Sequence, residues 1–155
     1  VLLSLADELV TLLGHEEEEA AGDLERMVGI GTSTETPEDP VLARLLPDAY
    51  RDDSQAAGDF RRYTENWLRS QKTEAARTVI ESLGGKSVEI DEDQAQAWLT
   101  VLTDLRLAVA GRVGLETEDD YDVLDEMSSS DPRRPTWDVY LWLGYLQETL
   151  VEALL

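Results

Sequence analysis

Apolar residues recur along this chain mainly at intervals of three and four, the period of a helix with one buried face. Leu2, Leu5, Leu9, Leu12 and Leu13 open the pattern, and Gly14 is placed to close that helix in a left-handed conformation. Asp23 can cap a short helix holding Leu24, Met27 and Val28, ended by Gly29 and Gly31. The polar loop Thr32–Asp39 follows. Asp39-Pro40 then reads as a helix start, because proline is tolerated at the first helical position. Val41, Leu42, Leu45 and Leu46 form its apolar side, and Pro47 stops it.

The next helix begins at Asp53 or Ser54. At 100° per residue, Phe60, Tyr63 and Trp67 share one face and are expected to point inward. Arg62 and Arg69 then point outward. Beyond Lys72 the apolar set becomes Ala76, Val79, Ile80 and Leu83, well over 90° around the helix from the aromatic set. One straight helix cannot bury both sets against one neighbour, so a break or kink is expected near Ser70–Lys72. Gly84 and Gly85 end the second piece.

Ser87–Ile90 alternates polar and apolar residues and is the one candidate strand. Asp91 and Gln94 form a capping-box pattern ahead of the longest clear helix. Its main stripe is Ala95, Trp98, Leu99, Leu102, Leu105, Val109 and Val113, widened by Val101 and Leu107, and Gly114 ends it. Leu115–Thr136 is rich in acid and serine and reads as a long linker or disordered loop. Trp137–Leu155 is the last helix, with Gly144 calling for a close crossing. The predicted fold is one all-α domain over residues 1–155. It is an irregular helical bundle of five to seven helices, with acidic linkers at about 15–20 and 115–136 and at most one short strand near Ser87–Ile90.

Charge changes the picture. The net charge is −21 over 155 residues. Val1–Ala43 carries 1 basic and 11 acidic residues, and Thr78–Leu155 carries 5 and 17. Only Arg44–Arg77, with 7 basic and 6 acidic residues, is positive. Such a field repels phosphate polymers and disfavours nonspecific nucleic-acid binding. No apolar run approaches the roughly 18 residues of a membrane span, and no signal peptide is visible. A cytoplasmic location is expected. The chain opens on Val1 inside a helical pattern, which predicts a leading segment ahead of it. Cysteine is absent, so thiolate nucleophiles, disulfides and cysteine zinc sites are excluded within these residues.

Several motif fragments fail on their chemistry. Gly84-Gly85-Lys86-Ser87 resembles the end of a phosphate-binding loop, but that loop needs glycine where Ile80 stands, a preceding strand and a following helix. His15-Glu16 lacks the second histidine of a zinc-protease helix, because position 19 is Glu. A single histidine also cannot build a di-iron bundle site. Glu118–Asp122 lacks the glycine and the acid alternation of a calcium loop. No catalytic residue, metal or cofactor is therefore predicted, and the chain is not expected to be an enzyme.

A partner surface remains. The basic candidates are Arg61, Arg62, Arg69, Lys72 and Arg77, suited to an acidic partner segment or a second copy of the chain. The aromatic candidates are Tyr140, Trp142 and Tyr145 on the last helix, where core packing explains some of the rings and an interface the others. The competing readings are direct DNA binding through the same basic residues and an uncharacterised enzyme.

Five segments carry a family resemblance: Leu45–Asp53 (LLPDAYRDD), Phe60–Thr64 (FRRYT), Ala76–Leu83 (ARTVIESL), Ala97–Leu107 (AWLTVLTDLRL) and Trp137–Leu150 (WDVYLWLGYLQETL). Their order and spacing resemble an actinobacterial family of domains of unknown function whose genes tend to lie near the ClpS adaptor. Members carry the label AosR, an oxidative-stress-responsive transcriptional regulator. The resemblance implies a cytosolic helical protein that regulates through a protein partner, a sigma factor being the partner type it suggests. A thiol-based switch needs cysteines, and this chain has none.

Overall fold

Three aspartates start helices where the sequence places them. The Asp39 carboxylate accepts the N–H of Val41 at 2.7 Å and of Leu42 at 3.3 Å, ahead of Pro40. Asp53 accepts the N–H of Ala56. Asp91 and Gln94 close a reciprocal capping box, at 2.8 and 3.0 Å. Each satisfies backbone donors that a helix start leaves unpaired. The computed structural model describes residues 1–14 and 34–155. Among them stand six helices: α1 (Leu2–Gly14), α2 (Pro40–Leu45), α3 (Ser54–Ser82), α4 (Glu92–Val113), α5 (Glu118–Asp125) and α6 (Arg134–Leu154). The architecture is all-α. The expected linker at about 15–20, His15 and the short helix after Asp23 lie outside the described residues.

α4 is the central helix, packed against α3, α6 and α2, with α1 lying chiefly on α3. Its stripe Trp98, Val101, Leu102, Leu105 and Val109 is buried and meets Leu9 and Leu13 of α1, Leu42 and Leu45 of α2, Val79 of α3 and Leu143 of α6. Leu107, expected to widen that stripe, is exposed, because it falls on the far side of the period. Gly114 ends α4 at φ 83°, and the Leu115 N–H reaches back to the Ala110 carbonyl at 2.9 Å, the left-handed stop that favours glycine. Gly14, by contrast, stays helical.

Further expectations are corrected. α3 runs unbroken through Ser70–Lys72. Ser87–Ile90 forms no strand and is an irregular connection, since no other extended segment among the described residues offers it a ladder. Residues 115–136 are not one linker. Thr117 and Asp120 make a second capping box that starts α5, and Leu124 joins Val113 and Trp137 in a small second core. The last helix begins at Arg134 rather than Trp137, after a turn in which Arg133 holds the Asp131 carboxyl down at about 2. Gly144 is not required by a close crossing: the nearest neighbours of a Cβ there would be the Arg106 guanidinium atoms at 3.7 Å, ordinary van der Waals contact.

Candidate partner surface and the buried charge ladder

α3 reverses its expected faces. Arg61, Glu65 and Arg69 are only 5, 4 and 2% exposed, whereas Phe60, Tyr63 and Trp67 are 46, 62 and 61% exposed. The reason lies in the same 100° step. Ala57, Gly58, Arg61, Glu65, Arg69, Ala76 and Val79 form one continuous stripe along the helix, and all are buried. The aromatics lie on the opposite side. An unbroken helix therefore meets its neighbours along a single face, provided the first half of that face can bury charge.

It does so by pairing. The Arg69 Nη1 donates to the Leu13 carbonyl at the end of α1, at 2.8 Å, while its Nε and Nη2 donate to the Glu65 Oε1 at 3.3 and 3.1 Å. The Arg61 Nη2 donates to the Leu46 carbonyl just after α2, at 2.9 Å, and to Asp48 at 2.8 Å. The Arg61 Nη1 also stands 3.7 Å from the Glu65 Oε2. Each arginine thus serves a helix C-terminal carbonyl and a carboxylate together. Its planar fork of donors makes that possible, and a lysine ammonium has no equivalent geometry. Helix C-termini also carry the negative end of the helix dipole, which favours a cation there. Arg61 and Thr36 together hold the Asp48 carboxyl below the ordinary carboxylate range.

Farther along α3, Lys72 is half-buried and donates to the Asp104 carboxylate of α4 at 2.6 Å. Asp104 is buried, and burial raises its pKa against the opposing pull of Lys72. Its Oδ2 has no hydrogen-bond partner among the described residues.

The basic candidates therefore do not form one patch. Arg61 and Arg69 are interior, Lys72 is tied to Asp104, Arg62 is half-buried and Arg77 is exposed. The aromatic candidates divide as well. Tyr140 is half-buried, stacked on the fully buried Trp137 at 5.1 Å and overlaid by the Arg106 guanidinium at 5.0 Å. Trp142 and Tyr145 are exposed. Sequence reasoning missed the outward stripe Phe60, Tyr63 and Trp67, which Tyr50 extends by an edge-to-face contact with Phe60 at 6.1 Å. The signal for it was present in the alternating charges Arg61, Glu65 and Arg69, one helical turn apart and so within pairing distance.

The clefts offer little chemistry. A polar one of about 480 Å³ is lined by Thr34, Thr36, Asp48, Ser54 and Asp59. Its Asp48 carboxyl is held below the ordinary range, opposite to what a general acid requires. Asp104 has the raised value but is sealed inside. Among the described residues no cluster of three or more potential ligands is placed to hold a metal, and no helix is long and apolar enough to cross a membrane.

Comparison with known proteins places this arrangement in a family. The putative oxidative stress regulator AosR of Mycobacterium leprae is 34% identical, over all of this chain and 77% of its own length. The oxidative stress regulators AosR of Mycobacterium bovis and Mycobacterium tuberculosis are each 33% identical with the same coverage. No solved structure matches. The profile of DUF2017, a domain of unknown function, matches residues 1–154. The chain belongs to the DUF2017 family.

Proposed function

We propose that this chain is a non-catalytic regulatory protein of the oxidative-stress response that acts by binding a protein partner. The names of its relatives support the stress-linked role. The observation that carries the binding role is the outward aromatic stripe of α3. Three large rings on one face of a single helix, each about half exposed or more, are exposed apolar groups of the kind that marks interaction sites on soluble proteins. Aromatic side chains also dominate interface energetics.

The location of the basic residues speaks against direct DNA binding. Three of the five on which that reading rested are engaged inside the protein. The net charge of −21 would also have to approach a polyanion. With no cysteine among its 155 residues, these residues offer no thiol to an oxidant. In our reading the oxidant is therefore sensed outside them. The test is deletion of the gene in its native host, followed by transcript profiling after peroxide exposure. The expected result is an altered response that is restored by the wild-type gene. An unchanged response would defeat the regulatory reading.

A further inference from the structure

We infer that the aromatic stripe of α3, with the groove it opens onto beside α4, is the docking site for a basic amphipathic helix of a partner protein. This rests on the regulatory reading above and adds the place and the chemistry.

Trp67 stands at the junction of two surfaces. On one side it continues the line of Phe60 and Tyr63. On the other it walls a groove of about 390 Å³ between α3 and α4, whose apolar lining includes Leu68, Ala75 and Ala97. From Phe60 to Thr78 this face runs about 27 Å at the helical rise of about 1.5 Å per residue. A partner helix of about five turns would match it, its apolar side against the rings in the helix-in-groove mode.

The rim selects the charge of that helix. Glu74 and Asp93 line the groove and are exposed, with no cationic partner among the described residues. Lys72, the one cation lining it, is already neutralised by Asp104 at 2.6 Å. Arg62 falls on the far flank of α3 by the helical period, and the exposed Arg77, one turn on from Glu74, makes no ion pair with it among the described residues. The groove therefore presents unpaired negative charge around an apolar floor, inside a field of −21. A segment with lysines or arginines beside its apolar face complements it. A second copy of this chain does not, because it would bring the same Glu74 and Asp93 and the same net charge.

The test uses the full chain and two synthetic, fluorescein-labelled helical peptides. Both carry a Leu/Trp face, one with Lys/Arg on its polar side and the other with Glu. Anisotropy is measured at physiological salt. The basic peptide is expected to bind, and the acidic one is not. Y63S/W67S, which leaves net charge unchanged, should weaken binding by about tenfold or more, as loss of aromatic anchors does. E74K/D93K should weaken it far more than E148K/E152K, a control with the same charge change placed on α6. The proposal is overturned if Y63S/W67S binds the basic peptide like wild type, or if both charge variants weaken binding equally, since the general field alone would then be attracting the peptide. It is also overturned if sedimentation finds a wild-type dimer that Y63S/W67S abolishes, since the face would then belong to a second copy. Each of these outcomes leaves the regulatory reading standing, because that reading falls only on an unchanged peroxide response in the deletion strain.

Discussion

α3 and α4 lie side by side and bury their inner faces by different means. α4 presents Trp98, Val101, Leu102, Leu105 and Val109, an apolar stripe with one acid, Asp104, set into it. α3 presents Arg61, Glu65 and Arg69 in its first half and turns to Ala76 and Val79 only in its second. Apolar burial on α4 needs no partner geometry, since each methylene removed from water contributes by area alone. Ionic burial on α3 works only while every charge keeps its partners, because a lone buried charge is far more costly than a lone buried methyl group. The two interfaces should therefore respond differently to the same kind of damage. The α4 stripe should lose stability in proportion to volume removed, and the α3 ladder should fail when one member is removed and recover when its partner goes too.

The largest expected effect is on the ladder. Arg69→Met strips the Glu65 carboxylate and the Leu13 carbonyl of their shared donor and should cost about 3–5 kcal/mol. The double variant E65M/R69M should regain much of that loss, since a packed apolar pair can replace a buried ionic one. Urea denaturation of both proteins measures this, and a double variant as unstable as the single one, or worse, would break the contrast. Leu102→Ala on α4 should cost about 2–5 kcal/mol, with no second-site charge change able to restore it. A loss below about 0.5 kcal/mol, the range of ordinary surface changes, would mean the stripe is not the core.

A smaller effect should appear as a slope against pH. Burial raises the Asp104 pKa in the folded chain, so the folded state holds that proton more tightly than the unfolded one does. Its contribution is present below the ordinary value of 3.8 and is lost as pH rises through the raised one. Relative to Asp104→Asn, wild type should therefore lose stability between about pH 4 and pH 7. Asp48, held low by Arg61, has the opposite sign: its contribution is present above 3.8 and is lost as pH falls through its lowered value. Parallel denaturation curves for wild type and D104N at the two pH values test the first, and equal differences at both would refute it. The smallest effect belongs to the outer face. Tyr63→Ser and Trp67→Ser should each change stability by no more than about 0.5 kcal/mol, because neither ring supports the core. A loss of several kcal/mol in either would return these residues to the interior.

The parts of this fold that rest on apolar period and capping chemistry were readable from the chain. The Asp39-Pro40 start, the Asp91/Gln94 box, the Gly114 stop and the burial of Trp98, Leu102, Leu105 and Val109 all follow from local signals. The inward face of α3 was not, because arginine and glutamate spaced four apart have the same period as an apolar stripe. Reading polar as outward then assigns the wrong side. The angular conflict between Phe60–Trp67 and Ala76–Leu83 was real, and its resolution was a charged core face on an unbroken helix. α5 was hidden by composition. Its acids read as disorder, although Thr117 and Asp120 had the spacing of a cap. The groove beside Trp67 could not be read at all, since it exists only where two helices distant in sequence meet.

The arginine clasp also sets the order in which the molecule can come apart. α1 rests chiefly on α3, and the Leu13 carbonyl in its last turn is gripped by Arg69 at 2.8 Å. The hold on α1 is thus weakened once the first half of α3 lets go, whereas α4 and α6 keep their mutual apolar contact. The helix and the charged half-interface under it should therefore open as one cooperative unit ahead of the global fold. Its amides should exchange with solvent together and ahead of those in α4.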